Sequence, residues 1–461
     1  MDIINKSKKY EVTCISLNDF GEGEFKIGKN IYSVGNLLPR EKAIVIENDY
    51  QGIKKFQLQK IINPSKYRCD VNCKVYNKCG GCHLLHMKYE DQIKFKVDYV
   101  HKCFKENKIN AKISDIVTAD VKAGYRNKMQ VAYRYKDRDI IYGFYEDKTH
   151  RVINNDYCLI HTKEQNEIAK TVSKIMKELN IPPYNEDKRT GVIRFVIVRF
   201  SVYSKEILVT VVTNGANFPG RSEFVKRLRN RCPYISTIVQ NINTRKTSII
   251  LGDEDVTLFG KGYITEDIEG IKFNISSQTF FQVNPYQVGK LYGKVKEYLN
   301  LTNNETVIDA YCGVGTIGMI LAQSAKEVIG VEANKQSVIN DRNNSYNNKI
   351  KNIHFVIDDA TDYLDKLSKE NAKIDALVLD PPRSGSTEVF LNAINKLKPK
   401  QVVYVSCEAS TLARDLKILL NEYVIKKVGI VDMFVNTYHV ETIICLIKKG
   451  ENAQWEILCL D

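Results

Sequence analysis

TVIDAYCGVGTIGMILAQSA, residues 306–325, is the stretch on which the fold turns. A short apolar run through Ile308 leads into a turn carrying Gly313, Gly315 and Gly318, and an apolar helical pattern follows from Ile317 to Ala325. Strand, glycine turn and helix in that order open a βαβ unit. The glycines let the backbone approach a ligand closely and leave N–H groups free at the start of the helix.

Downstream, EVIGVEA (327–333), NIHFVID (352–358), IDALVLDPP (374–382) and QVVYVSC (401–407) alternate with helical stretches, and two further strand candidates lie near 423–432 and 439–448. Such alternation builds a parallel sheet, here with an antiparallel edge. Ligands in open α/β sheets bind beyond the C-terminal strand ends. That rim collects Asp309, Glu332 and Asp380. A carboxylate at Glu332 suits ribose hydroxyls, whichever adenosine cofactor is bound. The spacing formally matches G-x-G-x-x-G, so NAD is a competitor. Tyr311 and Cys312, filling the turn ahead of the glycines, weigh against it. Pro381 and Pro382 give a rigid wall fit for a flat substrate, with Arg383 where amino-group methyltransferases carry an aromatic.

Upstream, YEVTCISL, GEGEFKIG, KAIVIEN and KKFQLQKII fill residues 1–60 with alternating short runs, as in a small OB-like β-barrel. Residues 61–275 read as a mixed α/β central domain. It has helices at about 84–107, packing on the catalytic domain, and at 161–178, and strand-like runs over 124–153 and 191–260. Residues 276–461 form the Rossmann-like domain. Residues 122–151 carry eight Lys/Arg against four Asp/Glu, interleaved with Tyr125, Tyr133, Tyr135, Tyr142 and Tyr145. That mixture suits phosphates and stacked bases, and equally an ordinary sheet core.

The formal net charge of +13 points to a polyanionic partner such as nucleic acid. No apolar run is long enough to span a bilayer and the polar start has no signal segment, so a cytoplasmic protein with no membrane partner is expected. Its twelve cysteines then read as reduced thiols.

Cys407 leaves the strand QVVYVS on the same rim as the three carboxylates. Thiolate addition at C6 of a pyrimidine generates the enolate that makes C5 nucleophilic toward an electrophilic methyl, and a base must then take the C5 proton. Glu441, in NTYHVET, is the preferred base. Glu408 competes, but adjacent residues at a strand exit usually point in different directions, which disfavours it.

FFQVNPYQ, DAYCGVGTIG, GVEA, DPPRSG, YVSC and NTYHVET, in this order and spacing, resemble the TrmA/RumA-type RNA (uracil-5-)-methyltransferases. The resemblance implies an S-adenosylmethionine (AdoMet)-dependent enzyme acting on uracil C5, with Cys407 as nucleophile and Glu441 as base. It implies cofactor contacts from Gln282, Tyr311, Glu332 and Asp380. Thr316 and Asp359 stand where relatives carry other small polar residues and are further cofactor candidates, while Gln278 and Phe281 are candidates to face the uracil or, equally, to pack. It also implies a TRAM RNA-binding barrel over residues 1–60. An RNA cytosine-C5 methyltransferase shares the chemistry but usually shows Pro-Cys, where this chain has Ser406. The same motifs would serve a transfer-RNA uracil-5 methyltransferase, and the basic charge would equally serve a non-catalytic RNA-binding protein of ribosome assembly.

Cys73, Cys79 and Cys82 form C-x5-C-x2-C around Gly80 and Gly81. A fourth ligand from Cys69 or Cys158 completes an S4 site for zinc or iron–sulfur, and His83 and His86 permit a mixed zinc site. The resemblance selects Cys73, Cys79, Cys82 and Cys158 for a [4Fe-4S] cluster. It points to 23S ribosomal RNA as substrate, because such a cluster marks the ribosomal members. A monomer is expected.

Overall fold

A computed structural model describes residues 8–50, 53–137, 139–146, 149–247 and 249–450. The decisive stretch folds as expected: strand Thr306–Ala310, a turn, and the short helix Thr316–Leu321. It lies within an eight-stranded sheet. The order runs Ile353–Ile357, Glu327–Glu332, Thr306–Ala310, Ala376–Leu379, Gln401–Ser406, Glu441–Lys448, Tyr423–Val431 and Asp115–Val117. The first five are mutually parallel. Glu441–Lys448 runs antiparallel to both its neighbours. Helices cover both faces, and two apolar cores result, one on each side of the sheet.

The last strand, Asp115–Val117, comes from far upstream in the chain, and helix Tyr89–Glu106 packs on helix Ala409–Leu419 with Val100, Cys103 and Phe104 in the core. This helix starts five residues later than the pattern suggests. Residues 83–87 are committed elsewhere: the His83 and Leu84 N–H groups donate to the Asn436 carbonyl, and Arg68 bridges Met87.

The middle of the chain builds a seven-stranded sheet in the order Val152–Asn154, Asp139–Tyr145, Lys128–Lys136, Ile193–Phe200, Ile207–Thr213, Thr237–Ile242 and Glu254–Phe259. Helix Lys163–Glu178 packs against it and begins with a capping box, Thr162 and Gln165 satisfying each other's backbone N–H. Tyr125, Tyr133 and Tyr142 are buried in this region, so they serve packing, while Tyr135 is exposed. At the N-terminus, strands Lys8–Thr13, Lys42–Tyr50 and Ile53–Asn63 form one three-stranded sheet and Ser16–Leu17, Gly23–Ile27 and Asn30–Val34 another. The two share a core of Val12, Phe25, Val34, Leu37, Ala43 and Val45. Among the described residues, no helix is long and apolar enough to cross a membrane.

Candidate active site

The rim at the C-terminal ends of the parallel strands gathers the chemistry. Ser406 pairs with Thr442 across the antiparallel junction, so the next residues outward, Cys407 and Glu441, stand at the same edge. Glu441 is buried, and its Oε2 has no hydrogen-bond partner among the described residues. Burial and the nearby Asp380 hold its carboxyl well above the usual carboxylate range. Burial raises Asp380 as well.

Burial pushes the Cys407 thiol up to about 12, reinforced by Glu441 and Asp380 and opposed by Arg383, which supplies both charge and a hydrogen bond. Arg383 follows the two prolines and is anchored at its carbonyl, which accepts from the Thr411 hydroxyl at 3.0 Å. Its guanidinium donates to His439 Nε2 at 3.2 Å. Burial and Arg383 depress His439 to about 3, so the ring is a neutral acceptor. Glu408 is occupied: its carboxylate accepts from the Tyr99 hydroxyl at 2.6 Å and caps helix Ala409–Leu419 through Ser410 N–H.

On the cofactor side, the buried Asp309 accepts from Gly318 N–H at 2.7 Å, and a Cβ at Gly318 would come within 2.8 Å of that oxygen. The carboxylate thereby fixes the turn. Burial raises it to about 8. Glu332 accepts from Gly313 N–H at 3.1 Å and Asn334 N–H at 2.7 Å, tying the second strand end to the glycine turn. Tyr311 sits at φ 60°, a left-handed conformation unusual for a residue with a Cβ, and packs its ring 5.3 Å from that of Phe390. Thr316 donates to the buried Tyr292 hydroxyl at 3.2 Å.

Asp359 caps helix Ala360–Lys369, accepting from Thr361 N–H at 2.8 Å. Gln282 is half-buried ahead of helix Pro285–Leu299, and its carbonyl accepts from Asn127. Gln278 bonds to the Asp253 carbonyl and the Asp255 carboxylate, whereas Phe281 is in the core beside Phe273. Two site residues escape a reading of the sequence. Tyr292 feels Asp380, Asp309 and Glu441 together. Asp341 is fully buried near Glu332 and Asp309, and neither of its carboxyl oxygens has a partner among the described residues. Both sit at core-facing helix positions that carry no motif.

Cys73, Cys79, Cys82 and Cys158 line one cavity of about 320 Å³, with Arg126, Lys128 and His161 in its wall. The thiols sense one another: Cys158, Cys79 and Cys73 all raise Cys82. His161 Nδ1 lies 3.2 Å from Cys158 Sγ. Among the described residues, no group of three His, Cys, Asp or Glu is close enough together to hold a single metal ion. Four thiols lining one cavity are a donor set that suits an iron–sulfur cluster or a zinc site. Cys69 is not part of this wall and donates to the Leu85 carbonyl at 3.5 Å. His86 is buried against the Tyr76 hydroxyl at 2.6 Å.

Known proteins resemble this chain along most of its length. The family model for tRNA (uracil-5-)-methyltransferases matches residues 88–449. That span begins with the helix on the catalytic domain and ends just past the last strand of its sheet. A Bacillus cereus protein described as an uncharacterized RNA methyltransferase is 37% identical over 94% of this chain and 95% of its own length. A Clostridium acetobutylicum protein of the same description is 37% identical over 97% and 98%. The crystal structure of Pyrococcus abyssi tRNA (uracil-54, C5)-methyltransferase in complex with S-adenosyl-L-homocysteine is similar with a TM-score of 0.77 and 26% identity. It covers 95% of this chain and 100% of that one. With family model, relatives and fold in agreement, the chain belongs to the tRNA (uracil-5-)-methyltransferase family of AdoMet-dependent RNA-modifying enzymes.

Proposed function

We propose that this enzyme methylates uracil C5 in RNA through a covalent Cys407 adduct, with 23S ribosomal RNA as its substrate. The observation that carries the reading is the placement of the Cys407 thiol beside a buried Glu441 whose Oε2 has no partner among the described residues. A buried carboxyl oxygen left without a partner is costly unless a ligand uses it.

Deprotonated Cys407 adds to C6 of the uracil, and the C5=C6 electron pair moves onto C5 and the C4 carbonyl. AdoMet, when bound, supplies the electrophilic methyl that C5 takes up. Glu441 then removes the C5 proton, the C5=C6 bond re-forms, and the C6–S bond breaks to return the thiolate. Arg383 partly opposes the burial that keeps the thiol protonated, and so favours the thiolate that attacks. The cofactor would be held by Gln282, Tyr311, Thr316, Glu332, Asp359 and Asp380. The target base must leave its stack to reach this rim.

Residues 1–60 serve in this reading as the TRAM barrel, 61–275 as the central domain and 276–461 as the catalytic domain, in a monomer. Cys73, Cys79, Cys82 and Cys158 would hold a [4Fe-4S] cluster, which would cross-link the segment around residue 80 to the central sheet. Arg126 and Lys128 in the cavity wall are suited to balance its charge. The choice of 23S RNA rests on this cysteine set. A transfer-RNA target is the second reading, favoured by the likeness to the Pyrococcus abyssi enzyme.

RNA carrying 5-fluorouracil tests the chemistry, since fluorine at C5 cannot leave as a proton. A stable protein–RNA adduct is expected, lost in Cys407→Ala; its absence from the wild type overturns the mechanism. Mapping 5-methyluridine in ribosomal and transfer RNA with and without the gene decides the substrate. Anaerobic purification with an iron assay decides the cluster, and a colourless zinc protein overturns it.

A further inference from the structure

The thiol side of the rim continues into the N-terminal unit through a chain of rings. Arg383 reaches His439, whose ring centroid lies 4.1 Å from that of Tyr438. Tyr438 in turn meets Phe20 edge to face, at 5.5 Å and 84°. Phe20 belongs to the turn between strands Ser16–Leu17 and Gly23–Ile27, outside the span of the family model. Its side chain is 58% exposed.

The turn that presents it is well held. Asn18 Oδ1 accepts from the backbone N–H groups of Phe20 and Glu22, and Asp19 pairs with Lys102 of helix Tyr89–Glu106 at 2.6 Å. The Asn436–His439 segment below is tied by its Asn436 carbonyl to the His83 and Leu84 N–H groups. A large aromatic ring is thus fixed in the open beside the catalytic rim. Solitary exposed apolar side chains are common; this one is held against Tyr438 by a turn that is itself tied down.

We propose that Phe20, backed by Tyr438, is a stacking shelf for an unpaired base adjoining the target nucleotide. The inference rests on the RNA-uracil reading above and adds the residue by which the N-terminal unit grips the strand. Turning one base out of a stack leaves its neighbour without a partner, and an aromatic face replaces that partner whatever the base. Losing one such contact weakens binding roughly ten-fold.

The test uses total RNA substituted with 5-fluorouracil. For Phe20→Ala, the RNA concentration for half-maximal trapping should rise roughly ten-fold while the trapping rate at saturation stays within about two-fold. Phe20→Trp should restore the affinity, and its indole emission should be quenched when RNA is added, relative to wild type with its single Trp455. Phe20→Leu should behave as the alanine variant. Unchanged half-saturation in Phe20→Ala, full rescue by Leu, or no quenching of the introduced tryptophan overturns the shelf. Quenching needs no covalent chemistry, so a wild type that forms no adduct overturns the uracil mechanism while the quenching still decides the shelf.

Discussion

Lys96 and Asp432 form an ion pair sealed from solvent, Nζ to Oδ1 at 2.6 Å, between residues 336 apart in sequence. Lys96 also donates to the Phe434 carbonyl at 3.0 Å, and the Tyr89 hydroxyl donates to the other Asp432 oxygen at 2.9 Å. Helix Tyr89–Glu106 therefore pins the loop that leads to His439 and Glu441. Removing one partner leaves a buried charge alone, which costs about 3–5 kcal/mol. Lys96→Met should lower the thermal midpoint by roughly 6–20 °C for a unit of about 150–250 residues, measured by calorimetry. Lys96→Met combined with Asp432→Asn should recover part of that loss, and equal midpoints for all the variants would show that the pair is not buried in solution.

The division of labour between thiol and base gives a second expectation. Glu441→Gln should still add Cys407 to natural substrate RNA and accept the methyl, but it cannot take the C5 proton. A protein–RNA adduct carrying the methyl group should accumulate on denaturing gels, whereas Cys407→Ala should give none. Because burial raises the thiol to about 12, alkylation of Cys407 by iodoacetamide should accelerate steadily from pH 7 to 10. Arg383→Gln should be slower at each pH, since the guanidinium is the group that lowers the thiol.

Much of this rim was legible because strand, turn and strand-end residues repeat a local pattern: Asp309, Glu332, Asp380 and Cys407 each terminate an apolar run. Glu441 required knowing that its strand runs antiparallel, which puts the beginning of that strand at the ends of the others. Asp115–Val117 was not legible, because three residues make no periodicity and their pairing partner lies about 310 residues away. Tyr292 and Asp341 were hidden for a different reason. A tyrosine or aspartate on a helix announces neither burial nor neighbours, and both follow only from how helices settle on the sheet.

Asp341 makes a prediction about stability. Burial, with Glu332 and Asp309 nearby, raises its carboxyl to about 9, far above the unfolded range. The folded form therefore holds a proton that the unfolded chain releases near pH 4. Stability from this group is complete below that pH and is lost as pH rises toward 9. Asp309, raised to about 8, acts in the same sense. Asp341→Asn should match the wild-type thermal midpoint below about pH 4 and exceed it by a growing margin as pH rises to 8.5. A wild type whose midpoint is flat across this range, with no gain from the asparagine, would show that the carboxyl is not held in its neutral form.

Asp359 is assigned two tasks, helix cap and cofactor contact, and one substitution separates them. Asparagine caps helices about as well as aspartate, because its carbonyl oxygen accepts the same N–H groups, while alanine forfeits about 1 kcal/mol. Here the accepting atom is Oδ1, bonded to Thr361 N–H at 2.8 Å, which leaves Oδ2 available to a ligand. Asp359→Asn should thus keep the wild-type thermal midpoint, and Asp359→Ala should lower it by a few degrees. If the free oxygen accepts a hydrogen bond from the cofactor, the asparagine presents a donor there instead, and titration calorimetry with AdoMet should show affinity falling several-fold. An asparagine variant that binds AdoMet as tightly as wild type would leave Asp359 with the cap alone, and would assign adenosine recognition on this side of the rim to Glu332.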